Sequence, residues 1–277
     1  MPSATTNGDV LGIRGEPNFV YHYTTMESFV SIVESMQIWA TSIAFLNDAS
    51  EFITGVRAMR EALDAEFSKR RGRARSALAL MMEEVDAPEA LTFVASFTEL
   101  GDDLNQWRSY APSGGVALGL PRHELSAFWL EEGTMLAQCD YRRHRKWMRS
   151  VLCGVLKKPD DALGMEQLDS ILLELQFHAA MLKNGAYEAE REWRAVNVPS
   201  FSSANPKVEY RAKGGRLLPY VRLALPPADK RAFWSKVKVV LSPGLDELQA
   251  SAMDSFTSMR FGGKLRVRRS NVPLRSL

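Results

Sequence analysis

Apolar residues along the chain recur in two rhythms, and the rhythm predicts the element. Phe19-Val20-Tyr21-His22-Tyr23 is a run of aromatic and β-branched residues, which predicts a strand. Thr24-Thr25-Met26-Glu27 follows and fits a capping box, with Thr24 as N-cap and Glu27 as its partner. Phe29, Ile32, Val33 and Met36 then fall at helical spacing, so a helix with one buried face is expected. Residues 38–41 read as extended. Asp48 and Glu51 make a second cap and box pair, opening a helix striped by Phe52, Val56, Met59, Leu63 and Phe67. Pro88 closes the helical stretch after it.

Further along, residues 91–97 predict a core strand. Asp102-Asp103 cap a short helix bearing Trp107 and Tyr110, and Gly114-Gly115 lead into a strand over 116–120. Pro121 suits a first helical turn. Residues 135–141 are extended. A long helix covers 163–183 and stops at Asn184-Gly185. Residues 208–211 and 217–225 form a hairpin through Gly214-Gly215. A strand over 236–241, a helix over 245–259 and a strand over 265–268 complete the pattern. Residues 1–18 read as a loose polar tail and 19–277 as one α+β domain.

The stretch richest in chemistry is Tyr187-Glu188-Ala189-Glu190-Arg191-Glu192-Trp193-Arg194, which runs on to Val198. Its second half predicts a strand. Alternation then projects Glu190, Glu192 and Arg194 to one face and Trp193 to the other. Carboxylates crowded on one face repel each other and call for an arginine partner or a ligand. A solvated strand entrance with a Glu192/Arg194 neighbour pair explains the same pattern.

Composition narrows the classes. The 277 residues are 45% hydrophobic and 25% charged, as in ordinary soluble proteins. A net charge of +2 demands neither a polyanion nor a membrane surface. Cys139 and Cys153 lack the spacing of a zinc site. There is no apolar run of about 18 residues and no signal-peptide layout, so a cytoplasmic location without membrane association is expected. Basic clusters at 69–75 and 142–146 read either as solvated faces or as contacts for nucleic acid. No Gly-x-Gly-x-x-Gly, phosphate loop or nucleophile elbow is present. His22 and Tyr23 precede a helix N-terminus, whose amides suit a phosphate, although a lone histidine is as readily a structural group. Trp107 and Tyr110 can stack on a flat ring or pack in a core.

Several blocks, in order, resemble a known family. They are Tyr21-His22-Tyr23-Thr24, Phe45-Leu46-Asn47-Asp48-Ala49-Ser50-Glu51, and Ser96-Phe97-Thr98-Glu99 followed by Trp107, Tyr110 and Gly115. Lys183 through Tyr187 then lead to Glu190-Arg191-Glu192-Trp193-Arg194. Leu218-Pro219-Tyr220, Ser242-Pro243-Gly244 and Ser270-Asn271-Val272-Pro273-Leu274-Arg275 close the series. Together they resemble a prokaryotic family known as domain of unknown function 2971, whose members are sometimes described as abortive-infection proteins. Ser242 stands where that family is expected to carry glycine, and Arg108-Ser109 where a histidine-containing step is expected.

The block order is in turn similar to ADP-ribosyltransferases of the His-Tyr-Glu type. That resemblance implies a single domain with a split, curved, mostly antiparallel sheet flanked by helices, and NAD as substrate. It places His22 on an NAD ribose with Tyr23 and Thr24 beside it. Tyr110, with Trp107, stacks on nicotinamide. Glu192, or alternatively Glu190, is the catalytic carboxylate. Arg194 holds the carboxylates in register or contacts the diphosphate. The implied reaction transfers ADP-ribose to a macromolecular acceptor, with NAD hydrolysis at its side, and needs no metal. The implied setting is a bacterial toxin or phage-defence effector with an antitoxin or immunity partner, and the basic clusters favour nucleic acid over protein as acceptor. Two other classes stay open. His22, Asp48, Glu51, Glu190 and Glu192 can be ligands of a divalent metal in a nuclease or phosphodiesterase. Alternatively, the basic clusters serve a non-enzymatic nucleic-acid-binding module.

Overall fold

One strand, β3 (Phe93–Thr98), organises the sheet, because three other strands share its two edges. The computed structural model describes residues 17–46, 49–86, 92–141, 150, 165–198, 207–263 and 265–273. Along one edge β3 pairs with β6 (Glu192–Asn197) over its whole length, from Phe93 opposite Asn197 to Thr98 opposite Glu192. Along the other edge it meets β1 (Phe19–Thr25) only at Tyr21 opposite Thr98. At its far end that edge meets β2 (Gln37–Ser42), with Thr41 opposite Val94 and Ser42 opposite Phe93. Between these pairings β1 and β2 part company. The sheet therefore forks over the middle of β3.

Each arm of the fork continues outward. β1 pairs along its length with β4 (Gly115–Pro121), which pairs with β9 (Lys238–Leu241); β9 carries β10 (Arg266–Arg269) in a parallel pairing. β2 pairs with β8 (Arg216–Ala224), and β8 with β7 (Glu209–Lys213). β5 (Thr134–Gln138) covers the outer edge of β6. The described residues thus form one open, mostly antiparallel sheet flanked by helices, the coarse architecture that the resemblance implied. Gly214 and Gly215, at φ 57° and 74°, turn the β7–β8 hairpin in the left-handed conformation that a two-residue turn requires.

The helices bury the faces their periodicity marked. α1 (Met26–Ser35) buries Phe29, Ile32 and Val33. Its N-cap is Thr25, whose hydroxyl accepts from the Ser28 amide, and not Thr24. The reason is that β1 stays paired through Thr25 opposite Gly115, which holds Thr24 in the strand. A Cβ at Gly115 would sit 2.1 Å from the Thr24 carbonyl oxygen, so this junction needs glycine. Ser242, where glycine was expected, accepts a hydrogen bond from the Gly115 amide at 3.0 Å. The main core packs α1, α5 (Arg122–Glu131) and α8 (Glu247–Phe261) against the sheet through Phe29, Trp129, Trp193, Trp234 and Phe261, with α7 (Arg231–Trp234) alongside. A second core lies between α2 (Ala49–Phe67), α3 (Gly72–Asp86) and α6 (Met165–Met181), around Met59, Leu63, Leu78 and Leu175.

Two expectations change. The long helix ends at Met181, and Asn184 instead caps a 3-10 helix over Gly185–Glu190. Glu190 therefore belongs to that helix and not to the strand. Arg191, at φ 46°, breaks the alternation before β6 begins. The polar tail up to residue 16, Pro88, Asp48 with its cap, the basic cluster 142–146 and Leu274-Arg275 lie outside the described residues, as do the side chains of Glu51 and Phe52. In the first basic cluster, Lys69 and Arg70 both pair with the buried Glu66, and the Arg75 guanidinium lies over the Phe67 ring. These contacts bind the run to its own helices.

Candidate active site

A fork in a sheet leaves backbone groups of the bridging strand without a ladder partner, and buried polar groups of that kind must be satisfied otherwise. In this fork the Ser96 carbonyl is met by His22 Nδ1 at 2.9 Å. A carbonyl only accepts, so the bond places the imidazole proton on Nδ1 and leaves Nε2 as an acceptor. Burial pushes the His22 pKa below its usual value, against the opposing effect of the Ser96 bond, so the ring is neutral at pH 7. Its ring packs against Phe97 with centroids 5.3 Å apart.

A cavity of about 430 Å³ occupies the fork. Because the strands have separated, consecutive residues of both faces of β1 border it, including His22, Tyr23 and Thr24. Ser96 forms part of its floor, and Tyr110, Glu190 and Glu192 also border it. A space of this size suits a small organic ligand. The Tyr23 hydroxyl donates to the Leu100 carbonyl at 2.8 Å and accepts from the Asp103 amide at 3.0 Å. Burial raises its pKa, so it stays a neutral strut under the loop before α4 (Leu104–Tyr110).

The acidic side is built from β6 and the 3-10 helix. Every residue of β6 is buried, which draws the Glu192 and Arg194 charges largely out of solvent. Arg194 Nε donates to Glu192 Oε1 at 2.9 Å and its Nη2 to Oε2 at 3.2 Å, while Nη1 donates to the Ala180 carbonyl. Lys183, only 1% exposed, donates to Glu192 Oε2 at 2.5 Å and to Glu190 Oε2 at 2.7 Å. The Thr98 hydroxyl donates to the Glu190 carbonyl at 2.7 Å, and the Tyr141 hydroxyl accepts from the Glu192 amide. Two cations thus face two carboxylates, a balance that a buried charge cluster needs. Burial alone would raise the Glu192 pKa, but the Arg194 and Lys183 charges overcome it and hold the carboxyl down to about 2. The same contacts raise Lys183 against the effect of its burial.

The donor count shows what chemistry remains. Glu192 Oε1 has one donor and Oε2 two, so Oε1 can accept one further hydrogen bond. Glu192 is a fixed negative charge at neutral pH and no proton shuttle. Glu190 binds Lys183 through one oxygen and its side chain is 31% exposed, so it is the carboxylate that can reach a proton.

The expected residues therefore divide. His22, Tyr23, Thr24, Tyr110, Glu190 and Glu192 gather around the cavity. Trp107 does not: it is 3% exposed, packs edge-on against Tyr23 and donates its Nε1 to Asp102 at 2.9 Å. Asp102 also accepts from Arg268, the Ser270 hydroxyl and the Asn271 amide, which pins the segment after β10 beneath α4. Arg194 lies behind Glu192 and does not border the cavity, so it holds the carboxylate in place. Lys183 is the group the sequence pattern missed. Its signal was a lysine at the end of an apolar helix, just ahead of Glu190 and Glu192, which reads as an exposed helix-end cation. Among the described residues, no group of three or more His, Cys, Asp or Glu is placed to hold a metal ion, and His22 does not converge with the two glutamates as ligands. Also among them, no helix is long and apolar enough to cross a membrane.

Comparison with known proteins finds no matching family model, no similar curated protein and no similar solved structure.

Proposed function

We propose that the chain is an NAD-dependent ADP-ribosyltransferase acting on a macromolecular acceptor, with its cleft at the fork of the sheet. The observation that carries this reading is the placement of an oriented, neutral His22 and a permanently ionised Glu192 around one cavity, on strands that flank β3 from either side. The block resemblance to transferases of the His-Tyr-Glu type supports it from the sequence side. The forked antiparallel sheet supports it as the kind of cleft that resemblance implies.

The chemistry follows from these groups. NAD enters as substrate, and His22 Nε2 accepts from a ribose hydroxyl while Tyr110, at the exposed rim, stacks on the nicotinamide ring. The bond from the ribose carbon to the nicotinamide nitrogen breaks, and its electron pair neutralises the pyridinium. Positive charge develops on the sugar, as in glycoside cleavage. Glu192 accepts from the neighbouring ribose hydroxyl through Oε1, and its fixed charge stabilises the transition state more than the ground state. The acceptor attacks the sugar carbon and passes its proton to Glu190. A toxin or phage-defence setting rests on the family resemblance, and a nucleic-acid acceptor on the basic composition of 142–146, since cluster 69–75 is engaged with its own helices.

The test is release of nicotinamide from NAD, with RNA, DNA or cell lysate added, for wild type and Glu192→Gln. Wild type is expected to release nicotinamide and Glu192→Gln to lose at least a hundredfold in rate, with labelled ADP-ribose appearing on the acceptor. Equal release by both proteins, or none from wild type, refutes the reading.

A further inference from the structure

Across β3 from Glu192, the cavity is bordered by a second pair of charges in a different bonding state. Arg211 of β7 reaches diagonally over β8 and donates from Nη2 to the Thr41 hydroxyl of β2 at 2.8 Å. Its guanidinium lies 5.2 Å from the Trp39 ring and 5.7 Å from the Tyr220 ring, two rings that stack with centroids 4.4 Å apart. Among the described residues Arg211 forms no ion pair, and its buried Nε has no hydrogen-bond partner. The nearby carboxylate, Glu209, is engaged by Arg222 at 2.6 Å and by the Tyr220 hydroxyl at 3.0 Å. Burial without an answering anion pulls the Arg211 pKa down, whereas the hydrogen bond that Arg222 donates to Glu209 raises that of Arg222. Lys213, exposed on the same strand, also borders the cavity.

A partly buried guanidinium with one neutral partner has lost water without gaining a counter-charge. Its planar donor set matches phosphate oxygens in a two-pronged contact, and stacked aromatic rings fix the plane that makes such contact cheap in entropy. We propose that Arg211, assisted by Lys213, is an anion subsite for the phosphate groups of the cavity's ligand, which on the transferase reading are the diphosphate of NAD. It takes the diphosphate role that the sequence pattern offered to Arg194, a group already committed to Glu192. The identity of the ligand rests on the function proposed above; the subsite rests on the geometry of Arg211.

Calorimetric titration of the full chain with inorganic pyrophosphate, ADP-ribose and nicotinamide riboside separates the two ideas. Arg211→Gln is expected to weaken pyrophosphate and ADP-ribose at least tenfold and to leave nicotinamide riboside unchanged, while Glu192→Gln leaves pyrophosphate unchanged. Lys213→Gln alters an exposed residue that the fold does not need, and is expected to weaken both phosphates about threefold. It carries the test if Arg211→Gln fails to fold. Binding of pyrophosphate that depends on Arg211, with ADP-ribose and NAD unbound, supports the subsite and refutes the NAD reading. Wild-type protein that binds neither phosphate, or folded variants that bind both as tightly as wild type, overturns the subsite.

Discussion

The two charged regions beside the cavity differ in one respect: one is closed within the chain and the other is not. Lys183, Glu190, Glu192 and Arg194 answer one another with charged hydrogen bonds between 2.5 and 3.2 Å. Among the described residues, Arg211 has a single hydroxyl partner and two aromatic faces. A closed cluster belongs to the fold and its loss is felt as instability. An open cation contributes little to the fold, and its loss is felt by whatever binds. The difference teaches where to look for the ligand's own charge.

The largest effect that can break this comparison is on stability. Lys183→Met leaves two carboxylates together in a buried site, and its removal is expected to cost about 3–5 kcal/mol. Arg211→Gln is expected to cost less, about 1–2 kcal/mol, since the one charge-assisted hydrogen bond and the ring contacts it gives up are offset by removing a partly buried charge that no anion answers. Urea denaturation of both variants measures the contrast, and equal costs would erase the distinction between the two regions.

Acid supplies the next effect. Against the effect of burial, the Arg194 and Lys183 charges hold the Glu192 carboxyl down to about 2 in the folded chain, against an ordinary value of 4.5. A group whose folded pKa is depressed stabilises the fold above its unfolded value, and this stability is lost as pH falls through that interval. The loss is expected to be on the order of 3 kcal/mol between pH 4.5 and 2. Glu192→Gln should flatten this part of the stability-versus-pH curve; a curve as steep as that of wild type places the acid sensitivity elsewhere.

A smaller effect lies higher on the pH scale. His22 has its folded pKa lowered by burial, so below about 6.5 the unfolded chain takes up a proton that the folded chain refuses. Stability should therefore fall gently as pH drops from 6.5 toward the folded pKa, and His22→Gln should reduce that slope, leaving the share of His178, whose pKa burial also lowers. Thermal melting followed from pH 7.5 to 5.5 resolves it, clear of the Glu192 window.

Much of the fold was legible because periodicity is local. The α1 stripe of Phe29, Ile32 and Val33, the Asp103 cap of α4 and the Gly214-Gly215 turn are each decided within a few residues. The fork was not, since it depends on β1, β2 and β6 meeting β3 across long separations in the chain. In the site, His22, Tyr110 and the two glutamates were readable as residue types in a suggestive order. Trp107 kept two readings, ring stacking and core packing, because an aromatic at helical spacing looks the same whether it faces a ligand or Tyr23. The shared face of Glu190 and Glu192 fails because Arg191 turns left-handed, a choice the run Glu-Arg-Glu-Trp-Arg does not announce. Arg211 sits in an ordinary hairpin, and only its reach to Thr41 marks it.

The carboxylate of Asp102 ties α4 to Ser270 and Asn271, 168 and 169 positions further along the chain. That tie sets an order in time. Closing so long a loop costs entropy before any contact repays it, so contacts of this span form late. The helix that carries Tyr110 is braced early by Tyr23 of β1, and gains its second tie only when the segment beyond β10 has been synthesised and docked. A growing chain with the rest of its sheet assembled would still have a rim fastened from the β1 side alone.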